Sequence, residues 1–363
     1  MQQTVLELFS HFVAEEPQII EACEIGHINS TWFLTVGSGK KYVLQKINRS
    51  VFKQPEIVMS NIVAVTDFIR EKLRAMGGDV ERGALRALTS DSGKPYYIDE
   101  EGEYWRIYDF ITDATCYLSA DSTELFSRVG YAFCHFQRQL ADFDASLLGE
   151  TIPNFHNTAI RYQTFLRAVE ADVCGRAAAI AEDIKFVTDR AEKCSYIVDR
   201  IANGTLPLRV THNDTKLNNI MMDNTTGEGI CILDLDTIMP GSVLYDFGDS
   251  IRFGASSAAE DETDLDRVYV REDMFRAYAE GFIKGLDGSL TREEILALPM
   301  GAYVITLETG IRFLTDYLEG DTYFRIHREG HNLDRARNQF KLVADMETKM
   351  DTLNAIVAEF AKS

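Results

Sequence analysis

The stretch Val210 to Asp236 reads VTHNDTKLNNIMMDNTTGEGICILDLD, and its blocks constrain the rest of the chain. A polar run from His212 to Asn219 gives way to the apolar Ile220-Met221-Met222. The turn formers Asn224-Thr225-Thr226-Gly227 follow, and a second apolar run, Ile230 to Leu233, ends on Asp234. Two short apolar runs around a glycine-containing turn predict a β-hairpin. Such a hairpin would carry Asp234 back beside Asn219. Side chains alternate along a strand, so Asp234 and Asp236 are expected on one face and Leu233 and Leu235 on the other.

These spacings suit one kind of chemistry. In His212-x-Asp214 with Asn219, an aspartate is set to face an acceptor hydroxyl and an asparagine to help hold Mg²⁺, as in a kinase catalytic loop. Asp234 is the expected second metal ligand, because it follows directly on the apolar strand, while Asp236 could stabilise the loop beside it. Phosphoryl transfer needs this grouping because the triphosphate is heavily anionic. Hard oxygen ligands must hold Mg²⁺ against it while a carboxylate orients the nucleophile. The plain alternative is an acidic turn on a surface hairpin, which a lone His-x-Asp would favour. Four polar positions in register, followed by a carboxylate at a strand end, favour the transfer site. Lys216 stands where its charge could neutralise negative charge developing on the transferred phosphate; an exposed loop lysine is the competing reading. Asp246-Phe247-Gly248 also spells a kinase metal motif, but it lies beyond Pro240-Gly241, too far from the hairpin. Asp246 is therefore expected to anchor the catalytic loop.

The chain resembles the aminoglycoside phosphotransferase and choline kinase superfamily, small-molecule kinases with a protein-kinase-like fold, and within it the bacterial N-acetylhexosamine 1-kinases. The resemblance runs over nearly the whole length. It is carried by Gly26 to Asn29, Leu208 to Asn219, Asp234 to Ser242, Asp246 to Ala255, Arg312-Phe313-Leu314 and Asp316 to Asp321. It implies an α+β, two-lobed protein: a nucleotide-binding lobe over 1–111, with an antiparallel sheet plus helix, and a mostly helical catalytic and sugar-binding lobe over 112–363 that carries the hairpin. It implies ATP as co-substrate, Mg²⁺ as cofactor held by Asn219 and Asp234, and Asp214 and Lys216 as the catalytic pair. The sugar-contacting set it nominates is His27, Asp214, Asp234, Arg312 and Tyr323. Arg312 interrupts the apolar run Ile311, Phe313, Leu314, so it needs a carboxylate or a substrate oxygen. Glu308, one helical turn earlier, would serve as well as a substrate.

Strand-like patterns from Ile19 to Ile47 resemble the first three strands of a kinase small lobe. Glu56 to Met76 is periodic enough for a helix, and 96–98 with 104–108 read as a second hairpin. Tyr108, Phe110 and Ile111 then fall in the segment that would receive adenine through backbone groups, with a core role for the aromatics as the alternative. There is no Gly-x-Gly-x-x-Gly, and Gln45 stands where a protein kinase has its phosphate-binding lysine. Lys46 points to the opposite face. The phosphates are expected to rely on Mg²⁺, Lys216 and polar groups near Asn29 and Ser30. Loss of the lysine also fits a non-catalytic binding protein, but Asp214, Asn219 and Asp234 are all present. Two apolar stripes, Phe126 to Phe143 and Phe340 to Phe360, read as core faces of helices.

At 363 residues and 45% hydrophobic composition the chain can bury a large core. The formal charge of −20 argues against nucleic acid or an anionic membrane surface as partner. It would also suit a cationic acceptor, which keeps aminoglycosides or choline as alternatives. The six cysteines are scattered, with no Cys-x-x-Cys, and read as reduced thiols. The first 22 residues lack a basic segment ahead of an apolar run, and no stretch reads as long and apolar enough to span a bilayer. A cytoplasmic monomer is expected.

Overall fold

The computed structural model describes residues 2–23 and 28–361. The chain is a mixed α+β protein. In order, its main elements are α1 (Gln2–Ser10), β1 (Pro17–Cys23), β2 (Ser30–Val36), β3 (Lys41–Lys46), α2 (Pro55–Ala75), α3 (Val80–Gly83), β4 (Tyr97–Ile98), β5 (Tyr104–Asp109) and β6 (Ala114–Thr115). There follow α4 (Thr123–Gln139), α5 (Thr158–Ala171), α6 (Ala181–Thr188), α7 (Tyr196–Ala202), β7 (Arg209–Thr211), β8 (Ile220–Asp223), β9 (Gly229–Ile232), β10 (Met239–Gly241), α8 (Val243–Gly254), α9 (Glu272–Leu286), α10 (Arg292–Leu318) and α11 (His331–Phe360).

Two compact units result. The first gathers Met1–Cys116, Asp142–Pro153 and Ile220–Pro240; the second gathers Tyr117–Ala141, Asn154–Asn219 and Gly241–Ser363. A single cut after residue 111 does not describe this division. The predicted hairpin forms as β8 and β9, but it belongs to the first unit because β6 adds to it in the order β6-β8-β9.

In the first unit an antiparallel sheet runs β1-β2-β3-β5-β4. Period-two alternation puts Leu34, Leu44, Trp105 and Ile107 on one face, where they close over Val5, Leu8 and Phe9 of α1. The opposite face carries Thr31, Gln45 and Arg106 in one register row. Helix α2 buries Ile62, Val65 and Ile69, as its periodicity predicts, and Val58 and Met59 with them, while Ile57 is half-buried. Its buried Asn61 donates to the carbonyls of Gly149 and Ile238 and accepts from the Gly149 N–H. One side chain thus ties three distant segments of this unit.

The second unit is a helical body. Phe126, Val129, Phe133 and Phe136 line the buried side of α4, but the helix stops at Gln139, and Phe143 instead meets Phe68 edge-on in the first unit. Helix α11 buries Phe340, Val343, Met346, Leu353 and Val357 and packs on α9 and α10. By length and composition α10 is apolar enough to cross a membrane, contrary to the expectation from sequence, yet 83% of its apolar window is buried inside the protein. Its charged residues lie mostly near the ends, which leaves a long apolar centre for the core.

Helices α4 and α9 touch backbone to backbone. A Cβ on Gly281 would stand 1.9 Å from the Ser127 carbonyl oxygen, and one on Gly130 would stand 2.5 Å from that of Tyr278. Gly281→Ala gains about 1 kcal/mol of helix propensity, but overpacking at a backbone contact costs roughly 1–3 kcal/mol or more. The variant is expected to melt below the wild type. An equal or higher melting temperature would show that the helices can separate freely.

Candidate active site

The loop between β7 and Asn219 is held from several directions within the second unit. At its start Arg209 makes a bidentate pair with Glu294, at 2.5 and 2.8 Å. Glu294 also completes the capping box of α10 with Thr291, so the loop is fastened to a helix N-terminus. Asp246, 1% exposed on α8, accepts the N–H groups of His212 at 3.0 Å and Asn213 at 2.7 Å, and Gln137 donates to it as well. Asp249 accepts the Thr215 N–H at 2.9 Å, and Ser250 donates to the Thr215 carbonyl at 2.8 Å. The anchoring role expected of Asp246 is what its contacts describe.

Asp214 follows Asn213, whose φ is +67°, a left-handed conformation that asparagine tolerates better than most residues. Lys216 is no freely exposed lysine: its Nζ lies 2.7 Å from Asp214 Oδ1, and it sits 5.3 Å from the Phe253 ring. Burial works to raise the Asp214 carboxyl. The ion pair with Lys216, helped by His212 and Arg252, outweighs it and holds the group below the usual carboxylate range. Asp214 is therefore ionised and able to accept a proton. Asn219 donates Nδ2 to the Asp214 carbonyl at 2.8 Å and to Oδ2 at 3.2 Å. Its Oδ1 accepts no hydrogen bond among the described residues, so the donor atoms fit a hard cation at that oxygen.

Arg312, on α10, is bounded by the rings of Phe155, Phe324 and Tyr323 at 5.1, 5.5 and 5.9 Å from its guanidinium carbon. The ion pair with Glu308 that helix spacing allows is not formed. Glu308, fully buried, is taken by His156 Nδ1 at 2.7 Å and the Thr158 hydroxyl at 2.6 Å. Among the described residues the Arg312 guanidinium makes no hydrogen bond. Tyr323 is 57% exposed and sits in a turn that Asp316 shapes by accepting the N–H groups of Thr322, Tyr323 and Phe324.

In the first unit the predicted hairpin forms, its return strand one residue earlier than the expected 230–233: Ile220 pairs with Ile232 and Met221 with Cys231, and the register shifts between Met221 and Met222. The alternation expected beyond it fails. The ladder ends at Ile232, Asp234 turns left-handed at φ +53°, and Leu235–Thr237 form a single 3₁₀ turn. Asp234 and Asp236 are thereby separated: Asp234 is exposed, whereas Asp236 is 2% exposed. An exposed carboxylate at the end of a strand fits a metal ligand.

Asp236 is an anchor. Its Oδ1 takes Arg106 at 2.5 Å and its Oδ2 takes Asn29 Nδ2 at 2.6 Å. Gln45, at the position of the missing lysine, accepts from Arg106 Nε and Nη2 at 3.0 and 2.8 Å and donates to Thr31 at 3.1 Å. Asp236 keeps the buried Arg106 charged despite its desolvation. Lys46 lies on the other face, against Trp105 and Glu103.

The nucleotide-binding candidates lie along the same unit. The Asn29 amide is committed at both ends, since its Oδ1 accepts the Asn48 N–H at 3.0 Å, and Ser30 opens β2 with an exposed side chain. Tyr108 and Ile111 are buried; Phe110 is half-buried, and its N–H donates to the Lys41 carbonyl. His27 lies outside the described residues. Sequence reasoning did not find His156, Thr158 or Arg106, whose carboxylate partners lie more than a hundred residues away and leave no local pattern.

Similar solved structures share this fold. An aminoglycoside phosphotransferase from Alicyclobacillus acidocaldarius superposes with a TM-score of 0.60 at 12% identity, over 98% of this chain and 96% of that one. An amicoumacin kinase solved with AMP-PNP, Ca²⁺ and amicoumacin gives 0.60 at 12%, over 96% and 93%. A choline kinase from Cryptosporidium parvum gives 0.55 at 12%, over 95% and 93%. Residues 19–280 match the model of the phosphotransferase enzyme family, APH, and the chain belongs to that family.

Proposed function

We propose that the protein is an ATP-dependent anomeric kinase, converting N-acetylglucosamine or N-acetylgalactosamine to the sugar 1-phosphate with release of ADP. The observation that carries the substrate is Arg312, a guanidinium without hydrogen bonds among the described residues, walled by Phe155, Tyr323 and Phe324. A neutral sugar needs fixed donors for its hydroxyls and an apolar wall for its N-acetyl methyl group. The resemblance of the longer sequence strings to the hexosamine-kinase branch points the same way.

In this reading Asp214 orients the C1 hydroxyl and takes its proton as the oxygen bonds to the γ-phosphorus and the bond to ADP breaks. Lys216, already paired with Asp214, offsets charge developing on the transferred group. Asn219 and Asp234 would hold Mg²⁺, which when bound would neutralise the phosphate oxygens. Tyr323 and His27 complete the proposed sugar contacts, Ser30 and the Asn29 turn would flank the phosphates, and the segment of Tyr108, Phe110 and Ile111 would receive adenine.

The acidity of the chain favours a second reading, in which the acceptor is a cationic aminoglycoside or choline. Against it, the ring cage that would suit a quaternary ammonium already holds the protein's own cation.

Release of ADP measured across hexosamines, choline and aminoglycosides should show turnover with N-acetylhexosamines, lost by about 10²-fold or more in Asp214→Asn. Turnover only with cationic acceptors would overturn the sugar assignment. Arg312→Met keeps apolar contact with the three rings but removes the donors. It should weaken sugar binding by about 1.5–3 kcal/mol, leave the ATP KM unchanged, and shift the melting temperature little, because Glu308 keeps its own partners. An unaltered sugar KM would refute the role of Arg312.

A further inference from the structure

Glu308 and Arg312 stand at i and i+4 on α10 with the glutamate N-terminal, the spacing and order in which such pairs form on helices. A buried carboxylate has every reason to take that guanidinium. It does not: Oε1 faces His156 at 2.7 Å and Oε2 accepts from Thr158 at 2.6 Å, and these partners hold the carboxylate away from the guanidinium. Burial alone would raise the Glu308 carboxyl, but the His156 ring, Arg312 and the Thr158 hydroxyl together hold it below the usual range. Arg312 is thus close enough to act on Glu308 through space without forming an ion pair with it.

The other ring nitrogen of His156 faces the carbonyl oxygen of Asn213 at 3.1 Å. A carbonyl oxygen only accepts, so the ring nitrogen facing Asn213 is the donor in that contact. His156 therefore joins α10 to the residue that precedes Asp214. Phe155, the neighbour of His156, is one of the three rings around Arg312, and its carbonyl is held by Arg161 at 3.2 and 3.1 Å.

We propose that His156, with Thr158, is a positioning residue that determines acceptor recognition: by occupying Glu308 it keeps Arg312 available to a ligand, and through the Asn213 carbonyl it sets the backbone that carries Asp214. This rests on the reading of Arg312 as a sugar ligand. The two contacts of His156 predict separable effects. Loss of the Glu308 contact acts on acceptor binding, and loss of the Asn213 contact acts on turnover.

The test compares His156→Phe, His156→Phe with Glu308→Gln, Thr158→Val and Arg312→Met, with N-acetylglucosamine and N-acetylgalactosamine as acceptors. His156→Phe should raise the acceptor KM about tenfold, as Glu308 turns to Arg312 and removes one charge-assisted donor. It should also lower kcat, with the ATP KM unchanged. Adding Glu308→Gln should return the acceptor KM toward the wild-type value but leave kcat low. Thr158→Val, which frees one oxygen, should raise the acceptor KM by less; it carries the test if His156→Phe does not fold. A normal acceptor KM in both single variants, or a raised one that Glu308→Gln fails to rescue, would overturn the inference. If Arg312→Met itself leaves the acceptor KM unchanged, the reading of the sugar site fails instead.

Discussion

Two buried backbone N–H groups, those of His212 and Asn213 just past the end of β7, are both received by the carboxylate of Asp246 on α8. A buried donor left without a partner costs about 1–3 kcal/mol, so this carboxylate removes a large cost from burying the loop, beside the anchors that Glu294, Asp249 and Ser250 supply. Everything placed on the loop depends on it. Asp214 is held between its Lys216 pair and the Asn219 amide. The Asn213 carbonyl is directed to His156, and through His156 the loop is joined to α10. Helix α8, which carries Asp246, is buried over most of its length against α10, with Gly248 and Gly301 in close approach. The rigidity of the helical body thereby reaches the residue proposed to handle the proton.

The first unit has a comparable fixed point built from different chemistry. A lysine at position 45 would have left a movable cation, but Gln45 instead gives its carbonyl oxygen to Arg106, and Arg106 is anchored on Asp236. A guanidinium is always charged and presents several donors in one plane, so it can hold Gln45 and Asp236 together where an ammonium would hold one partner well. The Arg106 cation is consumed in fixing the turn that follows the hairpin. Asp236 is the hidden member of that turn and Asp234 the exposed one, which gives two nearby aspartates opposite roles.

The parts of the fold and candidate site that were legible in the sequence are those whose cause is local. The hairpin, α2, the three small-sheet strands and the α4 and α11 stripes follow from hydrophobic period and turn chemistry within a dozen residues. The grouping of Asp214, Lys216 and Asn219 was legible because they share one short loop. The separation of Asp234 from Asp236 was not, since the period-two rule holds only while a ladder continues and the ladder stops at Ile232. The partner of Glu308 was not legible either: helix spacing pointed to Arg312, and the residue that takes it lies 152 positions away.

Asn213 and Asp234 share a backbone property with consequences for how stability is distributed in this chain. Both adopt the left-handed region, at φ +67° and +53°, where a residue with a Cβ is strained by roughly 1 kcal/mol or more and glycine is not. Glycine at 213 would give up the exchange of hydrogen bonds with Thr211, and at 234 it would give up the carboxylate. A chain optimised for melting temperature alone would be drawn toward glycine at 234, an exposed position, more than at the buried 213. The strain retained there trades thermal endurance for a charge at a fixed point in space.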